Sequence, residues 1–189
     1  MKVTTILGSP RKNGNTAKVL GLLEKLLAQG HKVDRIDIAD FQVRGCLGCG
    51  ACKKITDQPG CVQDDEANAL FERMLDSDIL IYASPLYSWG FTSQMKAFID
   101  RHFCLVTGYG GPDYQSLIAG KRLALLVTCD GPIENNADLI QVAFERIGDY
   151  VRCDLVGKYI IPFSSTPDAL KDKAIEVARQ MAKDIVGAC

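Results

Sequence analysis

Residues 2–29 read KVTTILGSPRKNGNTAKVLGLLEKLLAQ, and their order settles the architecture. The first part, 2–8, is a short apolar run with β-branched residues ended by Gly8, which predicts a strand. The last part, 15–29, places Val19, Leu22, Leu23, Leu26 and Leu27 at helical spacing, and Gly30 follows as a C-cap. Between them lies GSPRKNGNT (8–16), which offers Ser9, Asn13, Asn15 and Thr16 as polar side chains and Arg11 and Lys12 as cations. It is neither a Walker A loop nor G-x-G-x-x-G. It does lead straight into a helix, where free N–H groups and the helix dipole favour an anion such as a phosphate monoester. The bland alternative is an ordinary N-cap by Asn15 or Thr16.

Outward from this unit the alternation continues. Strands are expected at 31–38 (the weakest, near an edge), 78–85, 121–129 and 155–163, and helices at 66–77, 92–103, 135–150 and 167–186. KRLALLVTC (121–129) is almost continuously apolar, as in a parallel sheet covered on both faces. Five strands alternating with five helices predict an α/β, doubly wound three-layer sandwich with a five-stranded parallel sheet. Ligands in such folds bind outside the carboxyl ends of the strands, at the switch in strand order. The loops after strands one to four are therefore the ones to inspect.

The bulk properties agree. A chain of 189 residues buries roughly 70% of its unfolded surface without metal or disulfide. No composition break divides it, so one domain is expected over 1–189, with a cysteine-rich loop at 45–65. With 47% hydrophobic residues, 24% charged residues and a net charge of −1, nothing marks a nucleic-acid or anionic-membrane partner. No run approaches a membrane span, and the short apolar start is a strand rather than a signal peptide. A cytoplasmic setting is the default, where clustered thiols more often mean metal or catalysis than structural bridges.

The thiols are clustered in CLGCGACKKITDQPGC (46–61), spaced C-x2-C-x2-C-x8-C. Cys46, Cys49 and Cys52 can wrap one face of a compact cluster, as in cubane ligation, with Cys61 as the fourth ligand. Structural zinc usually has two separated knuckles, and the second is missing here. A redox pair such as Cys49 and Cys52, or free thiols, stays open. Cys104, Cys129, Cys153 and Cys189 are scattered, and read as small buried hydrophobes or a tail thiol. Asp64 and Asp65 read as the start of the next helix, and His102 carries no assigned role.

These motifs carry a resemblance. A first strand ending in G-S-x-R with G-N-T opening a helix resembles the NADPH-dependent FMN reductase branch of the flavodoxin-like fold. DILIYASPLYSWGFTSQMKAFIDR (78–101) is similar to that family's third strand, its S-P-x-Y flavin loop and its K-x-F-I-D-R helix. The cysteine run followed by Asp64-Asp65 resembles the iron–sulfur flavoproteins, in which the last gap is usually shorter. The likeness spans residues 1 to about 105.

The resemblance implies FMN. Ser9, Arg11, Asn15 and Thr16 would hold its phosphate, with backbone at Lys12, Asn13 and Gly14. Pro85, Leu86, Tyr87, Ser88, Trp89 and Gly90 would line the ring, partly through backbone N–H groups. Thr128, Asp130 and Gly131, after strand four, form a weaker third contact. The aromatic residues of the second group would equally suit a subunit contact, and a homodimer or homotetramer is implied. The expected function is a flavin-dependent oxidoreductase or electron carrier, with a small-molecule or protein donor and acceptor. A [4Fe-4S] cluster on Cys46, Cys49, Cys52 and Cys61 would make it a one-electron relay. Without one it would be an NAD(P)H-dependent flavin or quinone reductase. The rival from another class is a non-enzymatic thiol or metal sensor. No catalytic acid or base is assigned, since hydride transfer to flavin needs chiefly geometry.

Overall fold

The computed structural model describes residues 1–187, apart from the side chains of 167–169 and 171. Cys189 lies outside the described residues. Five parallel strands form the sheet: β1 (Lys2–Leu7), β2 (Lys32–Asp37), β3 (Ile79–Pro85), β4 (Arg122–Thr128) and β5 (Asp154–Ile161). Their order is β2-β1-β3-β4-β5, the flavodoxin-like order, with the switch between β1 and β3. The weakest expected strand, β2, is an edge.

Successive residues of each strand face opposite layers. On β3, Ile79 and Ile81 pack with α1 (Asn15–Leu27) and α5 (Pro167–Gly187). Leu80 and Tyr82 face α2 (Ala67–Leu75), α3 (Ser93–Asp100) and α4 (Asp138–Tyr150). The central strands are buried on both faces, which is why they read as unbroken apolar runs rather than alternating ones. Among the described residues no helix is long and apolar enough to cross a membrane.

The two largest differences in helix boundaries have local reasons. The helix expected from 135 starts at Asp138, because Asn135 is left-handed (φ 56°) and the Asn136 amide turns back to the Pro132 carbonyl at 2.8 Å. The helix expected to 103 ends at Asp100 and tightens into a 3-10 turn, Arg101–Leu105.

Candidate functional site

A cavity of ≈ 750 Å³ opens at the carboxyl edge of the sheet, over the β1/β3 switch. It is lined by Ser9 and Arg11 to Thr16, by Pro85 to Tyr87, by Thr128 to Asp130, and by Ser164 and Ser165. Cys129, Ser164 and Ser165 were missed by sequence reasoning. The two serines follow β5 at the far edge of the sheet, and the chain turning back toward α5, which packs against α1, brings them to the cavity.

The loop after β1 is held by its own polar groups. The Ser9 hydroxyl accepts from the Arg11 N–H and donates to the Arg11 carbonyl, both at 3.1 Å. The Gly14 N–H donates to the same carbonyl at 3.0 Å. Gly14 is the N-cap of α1, with no side-chain cap and no acidic residue in the first turn. The first intrahelical bond is Lys18 N–H to the Gly14 carbonyl, so the N–H groups of Asn15, Thr16 and Ala17 have no intrahelical acceptor.

Neither Asn15 nor Thr16 caps the helix. The Asn15 amide donates to the carbonyls of Ser164 (2.5 Å) and Thr166 (2.9 Å), drawing in the segment after β5. The Thr16 hydroxyl pairs with that of Thr128 at 2.6 Å, tying the loop to β4. Lys12 pairs with Asp40, while the exposed Arg11 guanidinium has no partner among the described residues.

Close packing sets the loop's position. The Gly8 N–H donates to the Ala83 carbonyl at 2.8 Å, and its carbonyl accepts from the Thr92 hydroxyl at 2.5 Å. A Cβ on Gly8 would lie 2.6 Å from Met95 Cβ, inside the contact limit and against a stiff part of that side chain. Gly8→Ala is therefore expected to cost about 1–3 kcal/mol in urea denaturation. A loss under about 0.5 kcal/mol would show that Met95 yields freely.

After β3, Tyr87 and Gly90 exchange both backbone hydrogen bonds (3.0 and 2.9 Å) across a two-residue turn. Its central residues are both left-handed, Ser88 at φ 46° and Trp89 at φ 61°. A bulky tryptophan there is a conformational outlier of the kind found at functional loops. Pro85, Leu86 and Tyr87 line the cavity, whereas Ser88, Trp89 and Gly90 form the hairpin tip outside its lining, with Trp89 59% exposed. The expected backbone donors are also fewer. The Leu86 N–H is taken by the Thr128 carbonyl at 2.9 Å, and those of Tyr87 and Gly90 close the hairpin. Gly131 is not in the lining.

The cysteine-rich loop follows β2. Gly48 (φ 65°) and Gly50 (φ 70°) make the left-handed turns between its thiols, and Ala51–Lys54 form a single 3-10 turn. Cys46 and Cys49 are exposed, Cys61 is half-buried and Cys52 is buried. Cys104, on the turn after α3, joins them. Burial and then Cys61 and Cys52 push its thiol up to about 12. Burial also raises the Cys52 thiol, with Cys61 and Cys46 adding to it against Lys53. Spacing carried no sign of Cys104; its place directly behind the K-x-F-I-D-R segment was the available signal. Among the described residues no three His, Cys, Asp or Glu side chains are arranged to hold a metal ion.

Asp65 does more than begin a helix. It accepts from the Ala67 N–H at 3.2 Å, and its carboxylate takes both ends of the Arg101 guanidinium at 2.7 and 3.0 Å. Those side chains are 2% and 0% exposed.

A family model described as NADPH-dependent FMN reductase matches residues 1–159. The iron-sulfur flavoprotein of Methanosarcina thermophila is 40% identical over 106 residues, covering 56% of this chain and 54% of that protein. The chain thus spans about half the length of that relative. The putative NAD(P)H-dependent FMN-containing oxidoreductase YwqN of Bacillus subtilis is 29% identical over 188 residues, 97% of each chain. The structure of NAD(P)H:quinone oxidoreductase from Methanothermobacter marburgensis superposes with a TM-score of 0.76 at 16% identity, covering 97% of this chain and 98% of that one.

Proposed function

The chain belongs to the NADPH-dependent FMN reductase family, and from that premise we propose that it is a flavin-dependent oxidoreductase holding FMN in the cavity over the β1/β3 switch. The observation that carries this is the start of α1: three N–H groups without intrahelical acceptors, no acidic side chain, and an unpartnered arginine at one end of a ≈ 750 Å³ cavity. A dianionic phosphate fits that end by charge and by donor count. Arg11 and the N–H groups of Asn15 to Ala17 bind it. Ser9, Asn15 and Thr16 act through their hydrogen bonds to the loop, holding its shape. Pro85, Leu86 and Tyr87 offer the apolar wall for a flat ring, with Trp89 at its rim.

When bound, the flavin supplies the redox chemistry, and the protein supplies placement and exclusion of water. NAD(P)H is the proposed donor, by analogy with the Bacillus relative's description, and a quinone, as in the description of a Methylorubrum extorquens relative, or another small acceptor is the proposed electron acceptor. A cytoplasmic homodimer or homotetramer, with the exposed Tyr87 and Trp89 near the contact, belongs to the same reading.

Cys46, Cys49, Cys52 and Cys61 are the proposed ligands of a cubane cluster. The fit rests on the donor set, since each iron of a cubane takes one thiolate and the sulfurs need not crowd round a single ion. It also rests on a buried group left without a partner beside the loop, Arg101 Nε. A second reading, a reductase without a cluster, is favoured by the full-length match to the Bacillus relative. Iron and acid-labile sulfide analysis after anaerobic purification separates the two.

Purified protein is expected to be yellow and to release FMN on denaturation. Arg11→Ala, which removes one charge-assisted bond to the phosphate, is expected to weaken FMN binding about tenfold or more. Colourless protein that takes up no added FMN would overturn the assignment.

A further inference from the structure

The helix α3 touches both centres. At its start Thr92 caps it, accepting from the Met95 N–H at 3.2 Å, and donates to the Gly8 carbonyl of the phosphate loop. Just past its end stands Arg101. There the guanidinium takes Asp65 with both of its terminal nitrogens and donates to the Arg44 carbonyl at 2.9 Å. Arg44 and Asp65 are the two ends of the cysteine loop, so one side chain ties them together. The Cys61 thiol lies near enough to that guanidinium to favour its charged form. Its Nε is buried without a partner.

A second cation supports the middle of the loop. Lys53, next to Cys52, donates to the carbonyls of Phe103 and Val106 and lies 3.5 Å over the Phe103 ring. The Asn68 amide holds the Cys61 carbonyl at 2.7 Å. A loop rich in thiols is thus seated on two cations that belong to, or reach into, the turn 101–106. Full burial of a cation is expensive. One carboxylate accounts for its charge, but not for its grip on the Arg44 carbonyl at the other end of the loop.

We propose that Arg101 is the positioning residue of the cysteine loop, holding both loop ends, and with them Cys61, on the end of α3. The flavin cavity and the sulfur set then share one short helix, about 12 Å long. A cation close to a ligating sulfur also tunes the electronics of whatever that sulfur binds. The proposal rests on the cluster reading only for its electronic part; the positioning of Cys61 stands without it.

The test uses the full chain with FMN bound, as wild type, Arg101→Gln, Arg101→Lys and Lys53→Met. In iron-free protein, Cys61 alkylation by iodoacetamide is followed site by site with mass spectrometry. After anaerobic reconstitution with iron and sulfide, iron loss to a chelator and the cluster midpoint potential are measured. Arg101→Gln is expected to alkylate Cys61 faster, to lose iron about tenfold faster or more, and to shift the potential to more negative values. Arg101→Lys, which keeps the cation and loses the two-pronged grip, should recover part of each. Lys53→Met should open Cys52 while leaving Cys61 protected. FMN binding unchanged across the set shows that the fold is intact. If Arg101→Gln fails to bind FMN, Arg101→Lys is judged by the same criteria. Wild-type alkylation of Cys61 in the folded Arg101 variants overturns the proposal. A wild type that takes up no iron removes the cluster reading, and Cys61 alkylation alone then decides on Arg101.

Discussion

Asp65→Ala is expected to cost about 3–5 kcal/mol of stability and to unseat the cysteine loop. Asp65 and Arg101 are almost wholly inaccessible and meet through two parallel hydrogen bonds. Burial alone would raise the Asp65 carboxyl. The Arg101 guanidinium, with the N–H groups of Arg44 and Ala67, outweighs that and holds it below the usual carboxylate range. Burial likewise opposes the Arg101 charge, and Asp65 and Cys61 more than restore it. Truncation leaves a buried cation with no counter-charge, which is the costly half of such a change. Replacing both partners by apolar residues, as in Asp65→Leu with Arg101→Met, should recover most of the loss. Urea denaturation followed by far-UV circular dichroism measures both. A single-variant loss under about 1 kcal/mol would show the pair to be hydrated and weak. Because the folded carboxyl is depressed, its contribution is present above the unfolded value near 4 and fades as pH falls through the folded one.

A separate and less acidic transition is expected from His102. Its ring is buried between Phe71, Phe98 and Tyr82, at centroid distances of 5.8, 5.4 and 5.8 Å. Nε2 meets the Tyr82 hydroxyl at 3.1 Å, and Nδ1 is buried without a partner. Burial depresses the imidazole to about 3. The sign follows from proton counting: between about pH 6.5 and 3 the unfolded chain binds a proton that the folded one does not. Stability must therefore fall as pH drops through that window, by roughly 2–3 kcal/mol between pH 7 and 4.5. Most carboxylates are still ionised at the lower limit, which separates this effect from that of Asp65. His102→Phe together with Tyr82→Phe removes the titrating ring and the hydroxyl it would strand. That double variant should lose clearly less stability over the same interval in urea denaturation. An equal loss would mean that other groups carry the acid sensitivity.

The alternation of strands and helices was legible because it is local. Apolar residues at a spacing of three to four mark α1, a run with β-branched residues marks β1, and continuous apolar runs mark β3 and β4. Parallel pairing then follows, since each crossover carries a helix. The loop after β1 was legible too, as a polar and cationic stretch abutting a helix start. What its side chains do was not. Asn15 binds carbonyls near residue 165 and Thr16 binds Thr128, so both shape the loop instead of capping the helix.

By itself, then, the amino-acid order determined the five-stranded doubly wound sheet, the edge at which the cavity opens and the four clustered thiols. Only the tertiary structure decided that Ser164 and Ser165 complete the cavity, that Cys104 stands with the cysteine loop, and that Arg101 closes on Asp65. The physical reason is range. Apolar periodicity records which face of an element is buried, and that is written in neighbouring residues. The partner of a buried polar group is chosen by strand order and crossover path, which place distant residues side by side and leave no mark in their spacing.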